Sequence, residues 1–408
     1  MELKYDLVLK GGTVVDPSQS LQGVRDVAFR DGSVAAVAPR IAREEARRVV
    51  DVSGKYVAPG LVDVHGHYYR LVFPYAVPAD EVCLPNGVTT TVDAGSSGWT
   101  HFEGLREYVI ERQQTRMMAL VNLSALGMLH AYRDGGFGPT LGPSLSIGSG
   151  PEAVLPENAA GELMDLRFAQ VDEAVQCIKE NANICIGVKI RLDVHISGDR
   201  NTIPALERAR QVAEATDSFI MVHVARVPIP LARVFEYLRP GDIVTHIFHT
   251  AENNVLDESG KVRPEAWEAK SKGIVMDIGA DKGNIGIDLS RRAIDQGYLP
   301  DTISSDVTKK TPQRSPYVLP EVMSLYMALG MSLEDVIAAT TFHGARAIGQ
   351  EGVLGTLREG AAGDAVVFEL ESGDFAYEDG DGLVARTDKR FLPVMTVFGG
   401  QVWTPGSV

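Results

Sequence analysis

At 408 residues the chain is too long for one small core and suits one large α/β unit with a smaller companion. With 54 acidic against 39 basic side chains, a formal charge of −15, it lacks the basic field that a nucleic-acid partner requires. No segment approaches the roughly 20 consecutive apolar residues of a membrane helix.

The opening Met1-Glu2-Leu3-Lys4-Tyr5-Asp6 shows no basic patch, apolar stretch or small-residue cleavage site, so a secretory leader is not expected. Cys83, Cys177 and Cys185 are too sparse and irregular for a disulfide framework, which points to a reducing compartment. The expected setting is cytoplasmic, without membrane or nucleic acid, and with a small molecule as partner.

Residues 1–58 read as short strands at 6–10, 13–15, 24–29, 33–37 and 48–52, separated by Gly11-Gly12, Asp31-Gly32 and Ser53-Gly54. From Leu61 apolar runs alternate with amphipathic stretches. The runs at 61–65, 88–93, 117–123, 184–190, 219–224, 242–247, 273–278 and 302–306 predict strands, with helices at 102–116, 167–180, 203–216 and 289–296 among the stretches between them. Eight strand–helix repeats predict a (β/α)8 TIM barrel over 59–349. The stretch 127–166, rich in Gly, Pro and Ser, is expected as an insertion over the site. Helices at 320–329 and 333–348 would close the barrel. Strand-like text returns at 353–354, 365–368, 394–398 and 401–403, so that 1–58 and 350–408 together predict a small β-sandwich built from both chain ends.

In such a barrel, functional side chains gather at the carboxyl ends of the strands. His65 and His67 share one face if 61–67 is extended, and a His-x-His pair admits either a shared metal or two hydrogen-bonded imidazoles. Strand five ends in His223, strand six in His246, strand eight in Asp306 and strand four in Lys189. Each alone has an ordinary structural reading. Together they favour a metal site. An inward Lys189 would be a costly lone ammonium unless its amine has reacted with carbon dioxide, giving an anionic carbamate able to bridge two cations. Thr245-His246-Ile247-Phe248-His249 offers two histidines. His246 shares inward parity with Val244 and Asp242, which leaves His249 in the loop as a substrate contact or a surface residue.

The set Pro59-Gly60-Leu61-Val62-Asp63-Val64-His65-Gly66-His67, Lys189, His223, His246 and Asp306 resembles the amidohydrolase superfamily in its dihydroorotase-like branch. The opening 6–16 and the late 354–367 resemble that family's split sandwich. The resemblance implies that His65 and His67 hold the more buried of two divalent ions, most often zinc. It further implies that carboxylated Lys189 bridges them, that His223 and His246 hold the outer ion, and that Asp306 is the last ligand. Relatives of this kind are commonly dimers or larger, so a homo-oligomer is possible.

Two cations sharing a water lower its pKa and stabilise the oxyanion that follows attack on a carbonyl. Asp306 would carry the proton to the leaving group. The expected reaction is hydrolysis of an amide, such as that of an N-acyl amino acid, or of a related ester, by a metal-bridging hydroxide. A cyclic amidohydrolase of the dihydroorotase or hydantoinase kind is one alternative, and a non-catalytic scaffold on the same fold is another. Dihydroorotases commonly carry arginine two residues after the second histidine, where this chain has Tyr69 and then Arg70. The branch named amidohydrolase/deacetylase tends to show Asp-x-x-His-Gly after strand seven, where this chain reads Asp277-Ile278-Gly279-Ala280-Asp281. Arg70, Asp93, Arg191, Arg226 and His249 are the candidate substrate contacts.

Overall fold

The computed structural model describes residues 3–128, 161–309 and 317–404. The N-terminal stretch forms β1 (Tyr5–Asp16), β2 (Leu21–Arg30), β3 (Ser33–Ala38), β4 (Ala46–Asp51) and β5 (Tyr56–Pro59). Asp31 and Gly32, at φ 49° and 76°, take the left-handed conformations that an Asp-Gly hairpin turn demands. Next come β6 (Leu61–Gly66), β7 (Val88–Gly98), β8 (Arg116–Asn122), β9 (Cys185–Arg191), β10 (Phe219–His223), β11 (Ile243–Thr245) and β12 (Val275–Asp277). The tail adds β13 (Ala365–Glu378), β14 (Val384–Phe398) and β15 (Gln401–Val402).

Strands β6 to β12 lie side by side in chain order as one parallel sheet. Helices such as Val171–Glu180, Val194–Thr216 and Pro264–Ser271 separate them along the chain. Alternation sorts the side chains into two packings. Val62, Val64, Val92, Ala94, Leu120, Met221 and Ile243 meet in one cluster although their strands are not all neighbours, which requires the sheet to curl. Val188, Ile190, Ile220, Val222 and Val244 pack instead with helix residues such as Ala174, Ala209 and Val212.

Of the eight strands expected for a closed barrel, seven form the parallel sheet, and the run predicted as the eighth is a different element. Residues 302–307 run between β12 and β6, bridging Asp277 through Thr302 and Gly66 through Val307. Ala280 N donates to Ser304 O (3.0 Å) on one side, and Asp306 N to His65 O (2.8 Å) on the other. No continuous ladder forms because a side chain intercepts it. The Ser305 N–H donates to Asp63 Oδ1 at 3.0 Å, and Asp306 leaves the extended region at φ 46°.

The two chain ends share one continuous sheet of eight strands, in the order β15-β14-β13-β5-β1-β2-β3 with β4 beside β1. Short β5 is the join, parallel to β1 and antiparallel to β13. One face buries Leu7, Leu9, Val27, Val57, Val367 and Val397, and Val8, Ala28, Ile41 and Ala46 form a further cluster. The helix predicted over 333–348 is divided at Thr341 (φ −129°, ψ −99°). The greater part of the predicted insertion, 129–160, lies outside the described residues. Among the described residues no helix is long and apolar enough to cross a membrane.

Candidate metal centre

His65, His67, Lys189, His223, His246 and Asp306 all line one cavity of about 630 Å³, counted to its open mouth. Three of them reach it by departures from regular strand geometry. The β6–β7 register slips between Asp63 and Gly66, next to His65. Strict alternation would send His246 outward with Val244, since Ile243 belongs to the concave cluster. The parity expected for His246 is therefore corrected. A backbone φ of 67° swings the ring inward instead, and Asp306 at φ 46° is turned in the same way.

The donor atoms converge. Asp306 Oδ1 stands 3.1 Å from His67 Nε2 and 3.3 Å from His65 Nε2, yet makes no hydrogen bond among the described residues. Donor atoms of these three residues all lie within 4.8 Å of one another. The His223 and His246 rings meet edge to face at 4.4 Å, and buried His223 Nε2 has no partner among the described residues. Lys189 is 1 % exposed, and its Nζ makes one long contact, 3.4 Å to His65 Nε2. Gly95 admits its stem, because a Cβ there would fall 2.5 Å from Lys189 Cβ.

Partners behind the rings fix which nitrogen faces the cavity. His246 Nδ1–H donates to Gly279 O at 2.8 Å, leaving the Nε2 lone pair inward. Thr245 Oγ1 donates to Asp277 Oδ2 (2.7 Å), so it accepts from His65 Nδ1–H (3.0 Å), with the same result. His67 Nδ1 lies 2.9 Å from Ser96 Oγ. Sequence reasoning missed Ser96, Thr245, Asp277 and Gly279. Thr245 stands beside His246, and Asp277 and Gly279 fall in the run quoted after strand seven, but nothing in the text marks any of the four as a partner of a ring.

Electrostatics agree with a cation-binding role. Burial, followed by the charge of Lys189, holds the His65 imidazole well below its ordinary pKa. Burial likewise brings His246 down to about 3 and His223 well below the usual range, so these rings keep free lone pairs at neutral pH. Burial pulls the Lys189 amine down to about 7. For Asp306 burial opposes ionisation, but His65 and His67 outweigh it and hold the carboxyl below the ordinary carboxylate range. Lone pairs aimed at a common gap, with orphaned Asp306 Oδ1 and His223 Nε2 facing it, fit a divalent metal.

The candidate substrate contacts divide. Arg226 lines the cavity, and so does Arg191, whose Nε and Nη2 donate to Glu162 at 2.6 and 2.7 Å. Asp93 is corrected to a tether: its carboxylate accepts the Tyr68 and Ser96 N–H groups, both at 2.8 Å, and it does not line the cavity. Arg70 is exposed and off the cavity. The surface reading of His249 is also overturned: it is 1 % exposed, and neither ring nitrogen has a partner among the described residues.

A curled parallel sheet with imidazoles, an amine and a carboxylate gathered beyond its carboxyl edge is the arrangement that the amidohydrolase resemblance implies. The model of the amidohydrolase family matches residues 303–403. A deacetylase of Brucella anthropi is 28% identical over 92% of this chain and 86% of its own. The crystal structure of an adenine deaminase superposes with a TM-score of 0.84 at 26% identity, covering 98% of this chain and 99% of that one. A dihydroorotase structure does so with a TM-score of 0.82 at 27% identity and the same coverages. Family model, relative and solved structures alike bear out the resemblance to the amidohydrolase superfamily.

Proposed function

We propose that this chain is a metal-dependent hydrolase cleaving the C–N bond of a small linear amide, an N-acyl amino acid, or a related ester. The observation that carries the reading is the convergence of six donor side chains on one cavity, with ring nitrogens oriented from behind. His65, His67 and Asp306 would hold one divalent ion, and His223 and His246 a second. Lys189, carboxylated, would lie between them. Zinc suits the nitrogen and oxygen set. Such ions, when bound, supply Lewis acidity and a water of lowered pKa. Asp306 takes the proton from the attacking water and returns it to the leaving nitrogen. The metal chemistry belongs to 59–349, with 1–58 and 350–408 as a composite companion. The setting is cytoplasmic, and a homo-oligomer is the assembly to test by light scattering.

A cyclic amide is the second reading, favoured by the likeness to a dihydroorotase structure. Tyr69 weighs against it: its hydroxyl donates to His101 O (3.3 Å), and the adjacent Arg70 is off the cavity. The test is a panel of N-acetyl amino acids against small lactams and imides, with metal analysis of protein purified without chelators. Hydrolysis confined to the rings would reverse the order. A metal-free protein inert on both would leave a non-catalytic scaffold.

A further inference from the structure

Among the described residues that line the cavity, the large apolar side chains are Phe73, Met128 and Ile196. They follow β6, β8 and β9, beyond the carboxyl edge of the parallel sheet. Two of them close around one ring. Phe73 packs edge-on against His67, with centroids 5.1 Å apart. The Met128 N–H donates to Ser96 O at 3.0 Å, and Ser96 Oγ is the partner of His67 Nδ1. Ile196 is pinned through its main chain, its N–H donating to Asp193 O (2.8 Å) and its carbonyl accepting the Leu163 N–H (3.1 Å). None of the three joins the clusters that fill the concave face of the sheet or pack it against its helices. With residues 302–307 lying between β12 and β6, β6 stands opposite β10 and β8 opposite β12. The facing wall is polar: Arg226 follows β10, and Asp281 and Asn284 follow β12.

An apolar wall favours an apolar ligand group and penalises a charged one, which would lose its water without gaining a partner. Asp306 decides which half of a substrate lies against it. Its Oδ1, without a hydrogen bond among the described residues, stands 3.1 Å from His67 Nε2, whereas its Oδ2 is 4.0 Å from His246 Nε2. The leaving atom that takes a proton from this carboxyl therefore approaches on the His67 side, beside Phe73 and Met128. We infer that Phe73, Met128 and Ile196 form the subsite for the leaving half of the substrate, and that they select a leaving amine or alcohol with an apolar side chain. This rests on the hydrolase reading above and narrows it, because hydrolysis alone sets no preference between an apolar and a polar leaving group.

The test separates the two ideas. In trifluoromethyl ketones of the form CF3–CO–CH2–R a carbon replaces the leaving atom, so they cannot be hydrolysed, and R stands where the leaving side chain would lie. Calorimetry on the protein as purified should show the ketone with R isobutyl binding about 10- to 100-fold tighter than that with R methyl. Affinity for the shared carbonyl end is common to both ketones and cancels in the ratio. Met128→Gln and Ile196→Thr, each close in size to the original, put a polar group in the wall and should shrink the ratio by about 5-fold or more. Either variant carries the test if the other does not fold. Equal affinities in wild type, or a ratio unchanged in the variants, overturn the inference. If the ratio behaves as expected while neither N-acetylglycine nor N-acetylleucine is hydrolysed, the apolar subsite stands and the hydrolase reading falls. If both are hydrolysed and the ratio is one, the hydrolase reading stands and the subsite falls.

Discussion

Lys189 is the residue on which the chemistry of the pocket turns. A buried amine with a single 3.4 Å contact among the described residues leaves ammonium donors unsatisfied there, and a neutral amine is the form that reacts with carbon dioxide. Lys189→Ala should therefore lose metal and turnover together, and a short carboxylic acid added with metal should restore part of both. Atomic absorption beside an activity assay reads this, and unchanged metal content would remove the bridging role. The metal-free protein offers a further test. The folded amine releases its proton at about 7, against 10.5 for a free lysine, so between those values the unfolded chain binds more protons. Stability then rises with pH across that window. From about pH 7.5 to about 9.5 the wild-type melting temperature should climb relative to that of Lys189→Met. Parallel curves would show that the amine is not held neutral. For Asp306→Asn, turnover should drop by roughly 10²-fold or more with metal retained, the usual size of a lost general acid–base. Near-normal rates would give the proton to another group.

At the scale of elements, the strands act through what stands behind the rings. Thr245, the last residue of β11, links His65 on β6 to Asp277 on β12 through one hydroxyl. Thr245→Val keeps the shape but leaves His65 Nδ1 without its acceptor and takes one of three hydroxyl donors from Asp277. Metal affinity should weaken by about 10- to 100-fold, the usual effect of such outer partners. Competition with a chromogenic chelator measures it, and an unchanged constant would mean that the ring needs no orientation from β11. The end of the β13–β14 hairpin bears on the same region. Asp379 Oδ2 accepts the Ile287 N–H at 2.9 Å, and Lys282 meets Glu378 at 3.0 Å. The cavity-lining residues 281, 283 and 284 are therefore braced by the sheet built from the chain ends.

For the whole molecule, metal and fold are expected to be linked. Ligands contributed by β6, β9, β10, the turn after β11 and the 302–307 segment lose their common focus when the chain unfolds, so bound metal favours the native state. One site at 100 times its dissociation constant contributes about 2.7 kcal/mol. Treatment with a chelator should lower the melting temperature, and added zinc should restore it. A melting curve indifferent to chelation would argue against an ion in the resting protein.

The donors were legible in the linear text because a strand terminus followed by His, Lys or Asp is a local pattern, and six such residues at five strand ends met the resemblance to one superfamily. The parallel sheet was legible from its alternating runs, as was the return of the tail to the N-terminal strands. Local pattern could not tell that a bulge beside His65 and left-handed backbone at His246 and Asp306 turn those side chains inward, since alternation alone sends His246 the other way. Nor could it separate Arg191, paired with Glu162, from Arg226, paired with Asp193, or bury His249. By itself the order of residues determined which chemical groups exist and roughly where each strand ends. Only the tertiary structure decided which way each group faces and which partner holds it, because those contacts join positions tens to hundreds of residues apart, where no periodicity carries information.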